Sequence, residues 1–193
     1  MQVLVEVSAR HVHLSPRDFA ALFGADAQLT FRKVLSQPGE FLAHERVDVV
    51  GVKRTIERVA ILGPLRARSQ VEMAITDLRT LGINAPIRDS GDIDGSSPIT
   101  LVGPMGKIEL PCGLIAAKRH IHMTPADAAR AGVIDRQIVS VRVDGARPLV
   151  FGDVTVRVRD TFALALHIDT DEGNAAGITA PDCYGEILTG GIP

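Results

Sequence analysis

Two triplets, His11-Val12-His13 and His120-Ile121-His122, carry the strongest chemical signal in the chain. Alternate residues of an extended strand face the same side. Each triplet therefore presents two imidazoles on one face, about 7 Å apart at the backbone by the strand rise, and such a pair can converge on one metal ion. Imidazole suits Zn2+, and a catalytic zinc commonly keeps three protein ligands and one open position. One His-x-His alone is modest evidence, but here the pair occurs twice in matching surroundings. Each ion then needs a third ligand, and Glu72 and His167 stand at comparable places later in the two halves. Glu72 reads equally well as a carboxylate serving one or both metals and as a solvated glutamate opening a helix. Asp169 and Asp171 either orient His167 from behind or cap the turn that follows. The sixth histidine, His44, has no echo and is expected to be an ordinary exposed residue. Cys112 and Cys183 lack a partner at ligand spacing and read as buried or incidental thiols.

The surroundings of the two pairs are written twice. Residues 7–24 read VSARHVHLSPRDFAALFG, and residues 116–132 read AAKRHIHMTPADAARAG. Arg10, His11, His13, Pro16 and Asp18 recur as Arg119, His120, His122, Pro125 and Asp127, with an offset of 109 residues. Both copies decode alike. An extended segment ends after the second histidine, and Ser15 or Thr124 caps a helix. Pro16 or Pro125 takes the first helical position, where a missing N–H costs nothing. Asp18 or Asp127 complements the positive helix end, and Gly24 or Gly132 stops it. A weaker echo, VEMAITD at 71–77 against LHIDTD at 166–171, aligns Glu72 with His167 after a one-residue slip.

Between these markers lie short apolar runs at 47–50, 59–62, 99–102, 107–110, 138–143 and 154–158, most bounded by Gly, Pro or Asp. Such runs are strands of small barrels or sandwiches. Helices are expected at three places only: after His13, near Ile75–Leu81 and after His122. Residues 88–98, RDSGDIDGSSP, read as a linker. The expectation is a mainly β protein, with two small β-barrels related by an internal repeat and a few short α-helices. Hydrophobic residues make up 46% of the chain and aromatics 4%, so the core must be aliphatic. A net charge of −2 leaves no basic excess for a nucleic-acid partner, though a small anion needs only one or two local cations. No apolar run approaches a membrane span, and Met1–Val7 lacks the zones of a signal peptide. Two cysteines without CxxC spacing point to a reducing, cytoplasmic setting.

The motifs VSARHVHLS, LSQPGEF, LGPLRARSQVE, RHIHMTP and HIDTDEGNAAG, spread from about Val3 to Gly177, resemble those of the PduL-type phosphate acyltransferases, also called phosphate propanoyltransferases. The resemblance implies two β-barrels, 10–117 and 1–9 with 118–193, and a di-zinc site where they meet. It implies reversible acyl transfer between coenzyme A and phosphate, with His11, His13, Glu72, His120, His122 and His167 as metal ligands. Arg66 matches the phosphate-binding arginine, and Ser8, Lys33, Leu62 and Asn174 match positions that approach coenzyme A. Ala60 departs from the pattern, standing where a basic residue can help hold coenzyme A. No packaging helix precedes the first strand. The expected setting is therefore the cytoplasm, or the lumen of a bacterial microcompartment, with shell contacts only if a tag is missing from the sequence. A homo-oligomer is compatible with the family, and the acyl length is not legible. Two other readings use the same residues: a di-zinc hydrolase of thioesters or phosphate esters, and a non-catalytic metal-binding or scaffold domain with closed sites.

Overall fold

The computed structural model describes residues 1–179 and 182–189. The first half of the chain runs β1 (Gln2–Ser8), β2 (His11–His13), α1 (Pro16–Phe23), β3 (Phe31–Val34), β4 (Phe41–Val50), β5 (Thr55–Gly63), β6 (Gln70–Met73), α2 (Ile75–Leu81), β7 (Ile87–Arg88) and β8 (Ser97–Gly103). The second half runs β9 (Gly106–Ala117), β10 (His120–Met123), α3 (Pro125–Ala131), β11 (Ile138–Val143), β12 (Leu149–Val158), β13 (Ala165–Asp169), α4 (Thr170–Ala176) and β14 (Tyr184–Leu188). The protein is mainly β, as its aliphatic strand runs and turn residues lead one to expect. Among the described residues, no helix is long and apolar enough to cross a membrane.

The chain divides into two compact units. The central unit is Arg10–Ala117, and the terminal unit joins Met1–Ala9 to the chain from Lys118 onward. Of the expected range 118–193, residues 180–181 and 190–193 lie outside the described residues. In the central unit β2 lies parallel to β5 and antiparallel to β6, and β6 runs parallel to β9. β8 pairs with both β9 and β4, and β4 pairs with β5, so these six strands close a barrel. β3 and β7 add to it at β4 and β9. The terminal unit is a closed barrel in the order β1-β13-β10-β12-β11-β14.

The two barrels share one pairing scheme. β10 takes the place of β2, β12 of β5, β13 of β6, β11 of β4, β14 of β8 and β1 of β9, with every pair keeping its parallel or antiparallel sense. Each half of the sequence thus sends its first strand into the barrel built by the other half. The cores are aliphatic. Val12, Ile61, Val71 and Leu114 are buried in one, and Ile121, Val156, Leu166 and Ile168 in the other. Alternation along each strand then turns the histidines at either side of Val12 and Ile121 away from that apolar interior.

The helix caps follow the local sequence. The Ser15 and Thr124 hydroxyls accept from the main-chain N–H of Asp18 and Asp127, and a proline opens each helix. Two expectations need correction. A fourth helix, α4, follows β13, because Asp169 and Glu172 form a capping box that starts it despite Gly173 within. Gly173 fits there because Val7 lies against it: a Cβ would stand 2.8 Å from a Val7 methyl. The stretch 88–98 is not a linker. It begins in β7, buries Ile93, and fixes Ser96, whose hydroxyl accepts from the main-chain N–H of Gly113 at 2.8 Å. Its polar residues serve turns and contacts within the unit.

Candidate functional site

In the central unit β2 pairs with β6 so that His11 faces Glu72 and His13 faces Gln70. In the terminal unit β10 pairs with β13 in the same register, and His120 faces His167. Glu72 and His167 are therefore equivalent without any slip. The arginines before the pairs also correspond. Arg10 pairs with Asp77 of α2 at 2.6 Å, and Arg119 with Glu172 of α4 at 2.6 Å. Each tie fastens the histidine strand to the helix that follows the third candidate ligand.

The ligand atoms of His11, His13 and Glu72 lie within 4.8 Å of one another, and all three residues are buried. Nε2 of His11 is 3.7 Å from Glu72 Oε2, and Nε2 of His13 is 3.8 Å from Glu72 Oε1. Burial, His11 and Arg66 together hold the His13 imidazole well below its usual pKa, so it is neutral at pH 7. Burial works against the Glu72 carboxylate, but His11, His13 and the Ser90 hydroxyl outweigh it and keep the group ionised. The second triad is built from rings alone. Centroids are 4.6 Å apart for His120 and His122, 5.3 Å for His120 and His167, and 4.9 Å for His122 and His167. Burial, His120 and His167, with Arg157 and Arg159, lower the His122 pKa to about 2. His120 Nδ1 donates to the Lys118 carbonyl at 2.9 Å in the tautomer that leaves Nε2 as an acceptor. Glu6 stands beside His167, with Oε2 3.6 Å from its Nδ1.

The central triad of His11, His13 and Glu72 fits a metal ion. The His13 and His122 imidazoles are neutral, the Glu72 carboxylate is ionised, and Nδ1 of both His13 and His122 is buried without a hydrogen-bond partner. The surrounding groups suit a held ligand set. Ser90 Oγ donates to Glu72 Oε1 at 2.7 Å, and accepts from Gln70 Nε2 at 3.0 Å and from Arg66 Nη1 at 3.3 Å. A hydroxyl has one proton to give, and both nitrogens are donors only, so its proton goes to the carboxylate. Gln70 also donates to Glu72, and its carbonyl accepts from Gly91 N–H at 2.7 Å. Arg66 Nη2 pairs with Glu40 at 3.0 Å.

The other expected positions are scattered. Lys33 faces Leu42, which faces Leu62, so β3, β4 and β5 bring Lys33 and Leu62 into one cross-strand row of the central unit. Ala60 sits between His11 on one side and Arg46 on the other. Ser8 and Asn174 belong to the terminal unit, at the last residue of β1 and on the exposed side of α4. Asp169 caps α4. Ser90, Gln70, Glu40 and Glu6 were not singled out in the sequence. Gln70 and Glu6 follow only from strand register, and Ser90 and Glu40 only from the folded loops.

A family profile described as phosphate propanoyltransferase matches residues 4–179. This chain belongs to the phosphate propanoyltransferase family. It is 54% identical over 175 residues to the phosphate propanoyltransferase of Enterococcus faecalis, an alignment covering 91% of this chain and 83% of the relative. It is 54% identical over 188 residues to that of Lachnoclostridium phytofermentans, covering 97% and 86%. A third relative, from Thermotoga maritima, is 50% identical over 181 residues, covering 93% and 86%. The class of reaction is phosphate acyl transfer.

Proposed function

We propose that this member of the family transfers a short acyl group, propanoyl or acetyl, reversibly between coenzyme A and inorganic phosphate, using two Zn2+ ions. His11, His13 and Glu72 would hold one ion, and His120, His122 and His167 the other. The observation that carries the reading is the hydrogen-bonded line from Arg66 through Ser90 to Glu72. It ties an anion-binding guanidinium to a carboxylate in a buried metal-ligand set.

Bound zinc would act as a Lewis acid toward the thioester carbonyl. The remaining work falls to the chain. The Arg66 guanidinium presents a rigid fork of donors that matches phosphate, and Glu40 holds that fork in place from one side. Ser90 and Gln70 keep Glu72 oriented, and burial keeps the His13 and His122 imidazoles neutral. A phosphate oxygen attacks the thioester carbon directly; the new O–C bond forms, the C–S bond breaks, and coenzyme A leaves as its thiolate. Burial pushes the Cys183 thiol up, away from the reactive thiolate, and Cys112 Sγ accepts from the exposed Arg68. Lys33, Leu62, Ser8 and Asn174 are proposed to approach coenzyme A.

Initial rates with acetyl-, propanoyl- and butanoyl-coenzyme A, with and without phosphate, test the reading alongside metal analysis. Thioester loss that needs phosphate and yields acyl phosphate is expected. Loss without phosphate would make the protein a hydrolase instead, and ping-pong kinetics with a trapped acyl-enzyme would rule out direct transfer.

A further inference from the structure

The repeat extends past the histidines to an arginine that the reading above leaves idle. The main-chain N–H of Arg66 donates to the Leu14 carbonyl at 2.9 Å, and that of Arg159 donates to the Met123 carbonyl at 3.1 Å. Leu14 and Met123 each follow the second histidine of a pair. β5 and β12, the equivalent strands beside those histidines, end just before the two arginines. Arg66 and Arg159 are thus anchored at the same point of the two barrels, although two residues more separate Arg66 from its strand register.

The side chains differ in a telling way. Arg66 is engaged by Glu40. No carboxylate among the described residues pairs with Arg159. Its guanidinium lies 5.5 Å from the centroid of the Phe162 ring, with that of Arg157 at 5.9 Å. Phe162 is in turn stacked on His122, with centroids 4.0 Å apart and planes 28° from parallel. Stacking occupies the face of a guanidinium and leaves its in-plane N–H edge to hydrogen-bond outward.

We propose that Arg159, steadied on Phe162, forms a second oxyanion site beside the His120/His122/His167 cluster, and that its ligand is a phosphate-type dianion. The inference rests on the proposed acyl transfer. The dianion has two possible sources in that reaction: inorganic phosphate, or a phosphate group of coenzyme A.

The test uses the zinc-loaded full chain and the variants Arg159→Gln and Arg159→Lys. Losing a charge-assisted fork should raise the KM of one substrate by roughly 10- to 100-fold, with the lysine variant between. Zinc content should be unchanged. If the source is inorganic phosphate, its KM rises, and calorimetric titration with phosphate alone, without thioester, shows the same weakening. If the source is coenzyme A, the KM for acyl-coenzyme A rises, while an acyl-pantetheine thioester lacking the nucleotide phosphates is used equally by all forms. Both KM values and phosphate binding within about twofold of the unaltered protein would overturn the site. Should Arg159→Gln fail to fold, Arg159→Lys, which keeps its stem over Phe162, decides on the same criteria. Failure of the underlying reading looks different: the unaltered protein would then consume thioester without phosphate.

Discussion

Glu72 shows how much of the central triad depends on residues that never touch an ion. One oxygen receives hydrogen bonds from both Ser90 and Gln70, so the carboxylate is fixed before any ligand arrives. Outer partners of this kind are worth about 10- to 100-fold in metal affinity. Ser90→Ala should therefore weaken zinc retention by roughly that factor, read by chelator competition, while the thermal midpoint moves little. Arg66→Ala should behave in the opposite way: zinc content unchanged, with the phosphate requirement raised or turnover lost. Unaltered kinetics in that variant would remove Arg66 from the site. The paired histidines were legible because the chain states His-x-His twice; Glu72 read equally well as a solvated glutamate, and only strand register sets it opposite His11. Ser90 and Glu40 were not, because a hydrogen bond between residues 18 or 26 positions apart leaves no periodic mark. Ser90 was further hidden by polar neighbours that read as a linker.

The helices are only seven or eight residues long, so their ends matter. Thr124 and Asp127 satisfy each other's main-chain N–H groups at the start of α3. Thr124→Ala should cost about 1 kcal/mol in chemical denaturation. The Thr124 hydroxyl, foremost, and Arg130 hold the Asp127 carboxyl below its ordinary range. A carboxyl whose pKa is lowered by folding adds stability above its unfolded pKa, roughly 3.9. That stability disappears as pH falls through the lower, folded pKa. The gap in thermal midpoint between the unaltered protein and Asp127→Asn should thus be full at neutral pH and close progressively below about pH 4. α1 and α3 were readable from Ser/Thr-Pro-x-Asp before an alanine-rich run. α4 was not: its glycine and string of acids resemble a turn, and only the reciprocal bonds of Asp169 and Glu172 make it helical.

The duplication was visible in sequence as paired motifs, and the barrels as short aliphatic runs, but strand pairing was not, since nothing in β1 names its neighbours. β1 hydrogen-bonds to both β13 and β14 and brings Glu6 alongside His167. A chain beginning at Arg10 should therefore lose hydrogen-exchange protection throughout the terminal unit, while the central unit, which holds all six of its barrel strands, keeps its slow amides. Protection lost evenly from both units would contradict this. The reciprocal loan of first strands has a further consequence. Cleaving the chain in the tight β8–β9 connection, between Pro104 and Met105, would leave two fragments of similar size. Each would lack one stave of its own barrel and carry one belonging to the other's. Neither fragment should fold alone, and mixing them should restore both barrels together: the single polypeptide is, in its hydrogen bonds, a strand-swapped dimer whose partners happen to be joined end to end.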